Sequence, residues 1–88
     1  MYRRVCIYTL KDGDELEAAL DCIGRWVSES QTVRAYETGF DMDAGTVCLI
    51  MDFDTAADCS GFSCSKEYIN LKYEMPDADI TETAYQRP

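Results

Sequence analysis

The chain contains no histidine, so any proton transfer near neutral pH must fall to carboxylates, cysteines, lysines or tyrosines. Arg4, Cys6 and Tyr8 alternate within Tyr-Arg-Arg-Val-Cys-Ile-Tyr-Thr-Leu, and in an extended segment such alternate residues share one face. On that face Arg4 can hold an anion at one end of a pocket, or it can snorkel beside one of the many acids. Tyr8, Tyr36, Tyr68 and Tyr85 can line a site for a phenolic or polyketide-like ligand, because aromatic walls carrying a few hydroxyls suit such molecules. They equally suit strands and subunit interfaces.

The cysteines point away from chemistry. Cys6, Cys22, Cys48, Cys59 and Cys64 are odd in number, lie mostly among apolar residues and form no C-x-x-C pair. Without histidine the mixed zinc ligand sets are out of reach, and no metal or cofactor is expected. The thiols read as small hydrophobes in a reducing, cytoplasmic setting. A nucleophile, base and orienting group could be assembled only if cysteine and lysine filled both reactive roles, and no spacing suggests this. Glu37 and Asp52 are strand acids expected to oppose Arg34 across the sheet rather than to form an acid/base pair.

With 17 acidic against eight basic residues and a formal net charge of −9, nucleic acid and anionic membrane surfaces are disfavoured partners. The longest apolar stretch, Val47 to Met51, is too short for a leader or a membrane span.

Tyr2 to Leu10 predicts a first strand. Asp12-Gly13-Asp14 is turn and capping chemistry, and Leu16, Leu20, Ile23 and Val27 follow at helical spacing, with Ala19 and Trp26 widening the stripe. Thr32 to Phe40 and Thr46 to Phe53 predict a hairpin across Asp41–Gly45. Thr55 and Asp58 open a second helix, which Ser60, Gly61 and Ser63 should break, leaving a stronger half from about Ser65 to Tyr73 that Pro76 stops. Ile80 to Tyr85 predicts the last strand, before a tail of Gln86, Arg87 and Pro88.

The resulting β-α-β-β-α-β order predicts an α+β, ferredoxin-like arrangement, with a four-stranded antiparallel sheet and two helices on one of its faces. Residues 1–88 read as one domain. The helices leave the second face uncovered, and Cys6, Tyr8, Tyr36, Cys48 and Ile50 are its expected occupants. So apolar a face predicts a two-fold homodimer enclosing a shared chamber.

Three strings carry a resemblance: Y-R-R-V-C-I-Y-T-L-K, V-R-A-Y-E-T-G and L-I-M-D-F-D-T-A-A-D, with A-Y-Q at the close. Together they resemble the stress-responsive A/B barrel domain (Dabb) proteins, whose dimers close two sheets into one α/β barrel. Some members of that family are polyketide cyclases that use a first-strand histidine with a tyrosine and a histidine of the second helix. Here the corresponding positions are Arg4, Phe62 and Tyr68. An arginine is no base at neutral pH and a phenol is a poor one, so the resemblance leaves electrophilic help, with Arg4 and a tyrosine hydroxyl holding an enolate or carboxylate oxygen.

The expectation is a homodimeric barrel that binds a small, partly aromatic molecule through Arg4, Cys6, Tyr8, Tyr36, Cys48, Ile50, Phe62 and Tyr68, with cyclase-like chemistry within reach. The alternatives are a cofactor-free oxygenase of the dimeric α+β barrel type and a non-enzymatic stress or interaction protein.

Overall fold

A computed structural model describes residues Met1–Pro88. Strand β1 (Tyr2–Leu10) leads through a single 3₁₀ turn (Gly13–Glu15) into helix α1 (Leu16–Ser28). The Asp12 carboxylate accepts from the Asp14 N–H and so starts that turn. Strands β2 (Val33–Asp41) and β3 (Thr46–Phe53) form the expected hairpin. Gly45, at φ 68°, supplies the left-handed residue the turn needs.

Helix α2 (Ala56–Ser63) starts at Thr55, whose hydroxyl accepts from the Asp58 N–H. It stops at Cys64, and α3 (Lys66–Glu74) restarts at once because the Ser65 hydroxyl accepts from the Tyr68 N–H. The same hydroxyl donates to the Phe62 carbonyl at 2.6 Å. The expected broken helix is thus two helices hinged on one serine. Strand β4 (Ala78–Gln86) is longer than its sequence pattern suggested and takes Gln86 from the expected tail. It pairs with β1 along its whole length, and the Arg87 N–H bonds the Met1 carbonyl just beyond.

All strand pairs are antiparallel, and the sheet order is β2-β3-β1-β4. One face carries Val47, Leu49, Met51 and Phe53 of β3, all fully buried against Ile23 and Val27 of α1, Phe62 of α2 and Leu71 of α3. Cross-strand neighbours share a face, so the register assigns the β1 side chains as well. Arg4 lies opposite Met51, Cys6 opposite Leu49 and Tyr8 opposite Val47.

This corrects the expected faces. Cys6 and Tyr8 lie beneath the helices, 0 % and 3 % exposed, while Val5 and Ile7 pair with Ile50 and Cys48 on the uncovered side. Tyr36 is opposite Met51 at the sheet margin, 40 % exposed. Alternation fixes which residues go together but not which set faces inward. The four buried β3 residues settle that choice. A second correction concerns Arg34, which bonds Asp54 at 2.8 Å. Asp52 instead receives both arms of Arg3, at 2.9 and 3.0 Å, while Glu37 stands opposite Ile50.

All five cysteines are free; Cys6, Cys22 and Cys59 are buried, Cys48 is half-buried and Cys64 is exposed. No helix is long and apolar enough to cross a membrane.

Candidate functional site

The antiparallel pairing of β1 with β4 sets Ala84 opposite Arg4, Glu82 opposite Cys6 and Ile80 opposite Tyr8. These side chains lie on the helix side, where the α2–α3 hinge brings Ser63 and Tyr68 over them. Around Arg4, which is 8 % exposed, the groups form a closed set of bonds. Its Nη1 donates to Ser63 Oγ at 2.6 Å. Its Nη2 donates to Tyr68 Oη at 2.9 Å and to Glu82 Oε2 at 2.7 Å. Tyr68 then donates its one hydroxyl hydrogen to Glu82 Oε1, also at 2.9 Å. The guanidinium carbon lies 4.9 Å from the Tyr68 ring centre, a cation–π distance.

Burial and pairing compete in each group. Burial disfavours the Arg4 charge, but the bond to Glu82 together with Tyr68 and Cys6 outweighs it and holds the guanidinium above its ordinary value. Burial likewise opposes ionisation of Glu82, and the bonds from Arg4 and Tyr68 prevail, holding its carboxyl below the usual range. Burial, aided by the bond to Glu82, pushes the Tyr68 phenol up to about 12 against the pull of Arg4. Burial pushes the Cys6 thiol up to about 11 and raises the Tyr8 phenol as well. At neutral pH the set is therefore a cation, a carboxylate and neutral phenols and thiols. Neither Cys6 nor Tyr68 is an activated nucleophile.

The network walls an open hollow of about 490 Å³ lined by Arg4, Ser63, Tyr68, Lys72, Ile80 and Glu82. Past Lys72 and Ile80 it adjoins a narrower apolar recess of about 140 Å³ between Tyr8, Leu71, Met75, Pro76 and Ala78. Both lie between β4 and α3. Phe62 stands behind them, its ring 5.1 Å from Tyr68 and 5.7 Å from Phe53, and is buried as packing. No set of three or more cysteine, aspartate or glutamate side chains converges as metal ligands.

Of the residues singled out from sequence, Arg4 and Tyr68 wall this hollow and Tyr8 the adjoining recess, while Cys6 and Phe62 are buried behind them. Cys48 and Ile50 lie across the sheet from it, Tyr36 is at the far edge, and Tyr85 is opposite Arg3 on the uncovered face. The hollow is consequently lined by a single chain, on the helix side of the sheet. Sequence reasoning missed Glu82, Ser63 and Lys72. Glu82 carried a usable signal: in this topology the first and last strands pair, so an acid alternating with Ile80 and Ala84 can reach a first-strand arginine.

No family model and no curated protein sequence matches the chain. Solved structures do match in fold. A crystal structure of an antibiotic biosynthesis monooxygenase superposes with a TM-score of 0.78 at 13% identity, covering 100% of this chain and 99% of that one. A dimeric protein of unknown function and ferredoxin-like fold from Bacteroides fragilis gives 0.78 at 14%, covering 98% and 95%. A mutant form of SnoaB, a cofactor-independent oxygenase from Streptomyces nogalater, gives 0.71 at 8%, covering 98% and 91%. The chain shares the ferredoxin-like α+β fold of these structures, and no family model places it among the stress-responsive A/B barrel proteins.

Proposed function

We propose that the protein binds a small, flat, partly aromatic molecule carrying a phenol or enol hydroxyl in the cleft between β4 and α3, and that it does so as a homodimer joined through the uncovered sheet face. The observation that carries this reading is the partly buried Arg4–Tyr68–Glu82 network on the wall of a hollow large enough for such a ligand. An arginine taken out of water to meet a half-exposed carboxylate adds little stability, because desolvation offsets the attraction. Its placement at a cavity wall, with an apolar recess alongside, suits recognition better than packing. The dimer is supported by Val5, Ile7, Cys48 and Ile50 on the open face and by the fold shared with a dimeric neighbour.

The direct test is a thermal-shift screen with phenolic acids, naphthols and short polyketide mimics, read against Tyr68→Phe. A ligand selective for the folded state raises the melting temperature by linkage. The expected result is a shift in the native protein that shrinks in the variant; no shift with any compound defeats the reading.

A cofactor-free oxygenase is the second reading, favoured by the fold shared with SnoaB and by the carboxylate at the cleft wall. There the substrate hydroxyl gives its proton to Glu82, and the Nη2 of Arg4 turns from Glu82 to the new oxyanion. Charge is unchanged by this exchange, which lowers its cost in a poorly solvated site. Dioxygen, the oxidant, then adds to a ring C–H carbon of the phenolate to give a hydroperoxide, and breaking its O–O bond with loss of that carbon's hydrogen releases water and leaves the quinone. Uptake of oxygen with hydroquinone-type substrates, abolished in Glu82→Gln, is the expected result; binding without uptake leaves the protein a binder or cyclase-like catalyst.

A further inference from the structure

Arginine is a natural receptor for carboxylates, and Arg4 is the one buried cation at the cleft wall. Its bonding nevertheless points the other way. Both hydrogens of Nη2 go to Tyr68 and Glu82 and one of Nη1 goes to Ser63, and the single hydrogen of Tyr68 goes to Glu82 as well. The group the wall presents to a visitor is the Glu82 carboxylate, whose side chain is 35 % exposed against 10 % for Arg4. Each carboxylate oxygen can take about two hydrogen bonds; Glu82 Oε1 has the Tyr68 hydroxyl at 2.9 Å and the Cys6 thiol at 3.9 Å, while Oε2 has only Arg4 at 2.7 Å. An accepting position remains on Oε2. Lys72, at the mouth, is exposed and so screened by solvent.

We infer that Glu82 sets the charge preference of the cleft: it accepts the hydrogen of a neutral phenol or enol and turns away aryl carboxylates, despite the arginine beside it. The inference rests on the binding reading above and specifies the ligand class. A ligand carboxylate reaching the wall meets a like charge at contact within an already acidic protein of formal charge −9. It gains the Nη2 edge of Arg4 only by evicting Glu82. A neutral hydroxyl meets an acceptor with a position to spare.

Two probes of one shape isolate this charge effect, 2-naphthol and 2-naphthoate, titrated at pH 7 into the full chain and followed by calorimetry and by amide shifts at Tyr68, Lys72 and Ile80. The native protein should bind the naphthol tighter by roughly tenfold or more, a discounted figure for one like-charge contact in a partly solvated site. In Glu82→Gln the preference should reverse by a similar factor, because Arg4 then lacks its counter-charge while the amide keeps the side chain's shape. A native protein that prefers naphthoate, or a variant that leaves the preference unchanged, overturns the inference and spares the binding reading. Absence of binding by either probe to either form overturns both. Should Glu82→Gln lose its fold, the comparison on the native protein decides alone.

Discussion

Tyr68 is the pivot of the network, since its hydroxyl accepts from Arg4 and donates to Glu82. Tyr68→Phe removes both bonds at once while leaving the ring against Phe62, and should cost about 1–2 kcal/mol in denaturant unfolding. The pH dependence has a definite sign on each side. Tyr68 and Cys6, raised to about 12 and about 11, bind their protons more tightly in the folded state, so the stability they contribute is complete below the ordinary thiol and phenol values. It is lost as pH rises through about 11 and about 12, and melting temperatures should fall on the alkaline side from near pH 9. Glu82 runs oppositely: its lowered value adds stability above the ordinary carboxylate value, lost as pH falls through the folded one. Glu82→Gln should flatten that acid limb in a series of melts. Arg4 and Tyr68 were each legible in the sequence as site candidates, though not as bonded partners. Glu82 was not, because one acid among 17 acidic residues stands out only once the strand pairing says what lies opposite it.

At the level of elements, β1 and β3 could be read to the residue, because uninterrupted β-branched and aromatic runs end at turn residues. Their inward faces could not be read. On β1 the aliphatic pair Val5 and Ile7 looks more like core than Arg4, Cys6 and Tyr8, yet the latter are buried. A buried arginine with its own carboxylate defeats a hydrophobicity count. The α2–α3 hinge was legible as weakness, from Ser60, Gly61 and Ser63, but its function was not: restarting the helix at Ser65 sets Tyr68 in the first turn of α3. Ser65→Ala should therefore destabilise the protein by about 1 kcal/mol and, by loosening Tyr68, weaken naphthol binding, measurable by chemical denaturation and calorimetry on one sample. Gly45→Ala, forced into the left-handed region, should cost about 1 kcal/mol with binding unchanged, which separates a turn defect from a site defect.

For the molecule as a whole, the sheet divides two tasks. Its helix side holds the cleft, and its open side offers Val5, Ile7, Cys48 and Ile50 beside the Arg3–Asp52 pair. Ile7, 41 % exposed, lies on that open side, so Ile7→Glu should convert the proposed dimer into a folded monomer in sedimentation analysis while the circular dichroism spectrum stays the same. Because the hollow is lined by a single chain, that monomer should retain its naphthol site. Loss of both together would mean that the partner shapes the cleft.

The bond between Arg4 and Glu82 joins positions 78 apart in the chain. During synthesis the guanidinium emerges early, and the carboxylate that neutralises it arrives only with the fourth strand. Until then the nascent sheet carries a cation that no packed interior can accept cheaply, so the hairpin and helices made first should stay open and hydrated around it. Closing that long loop is entropically slow, and any fragment ending before residue 82 should be prey for proteases.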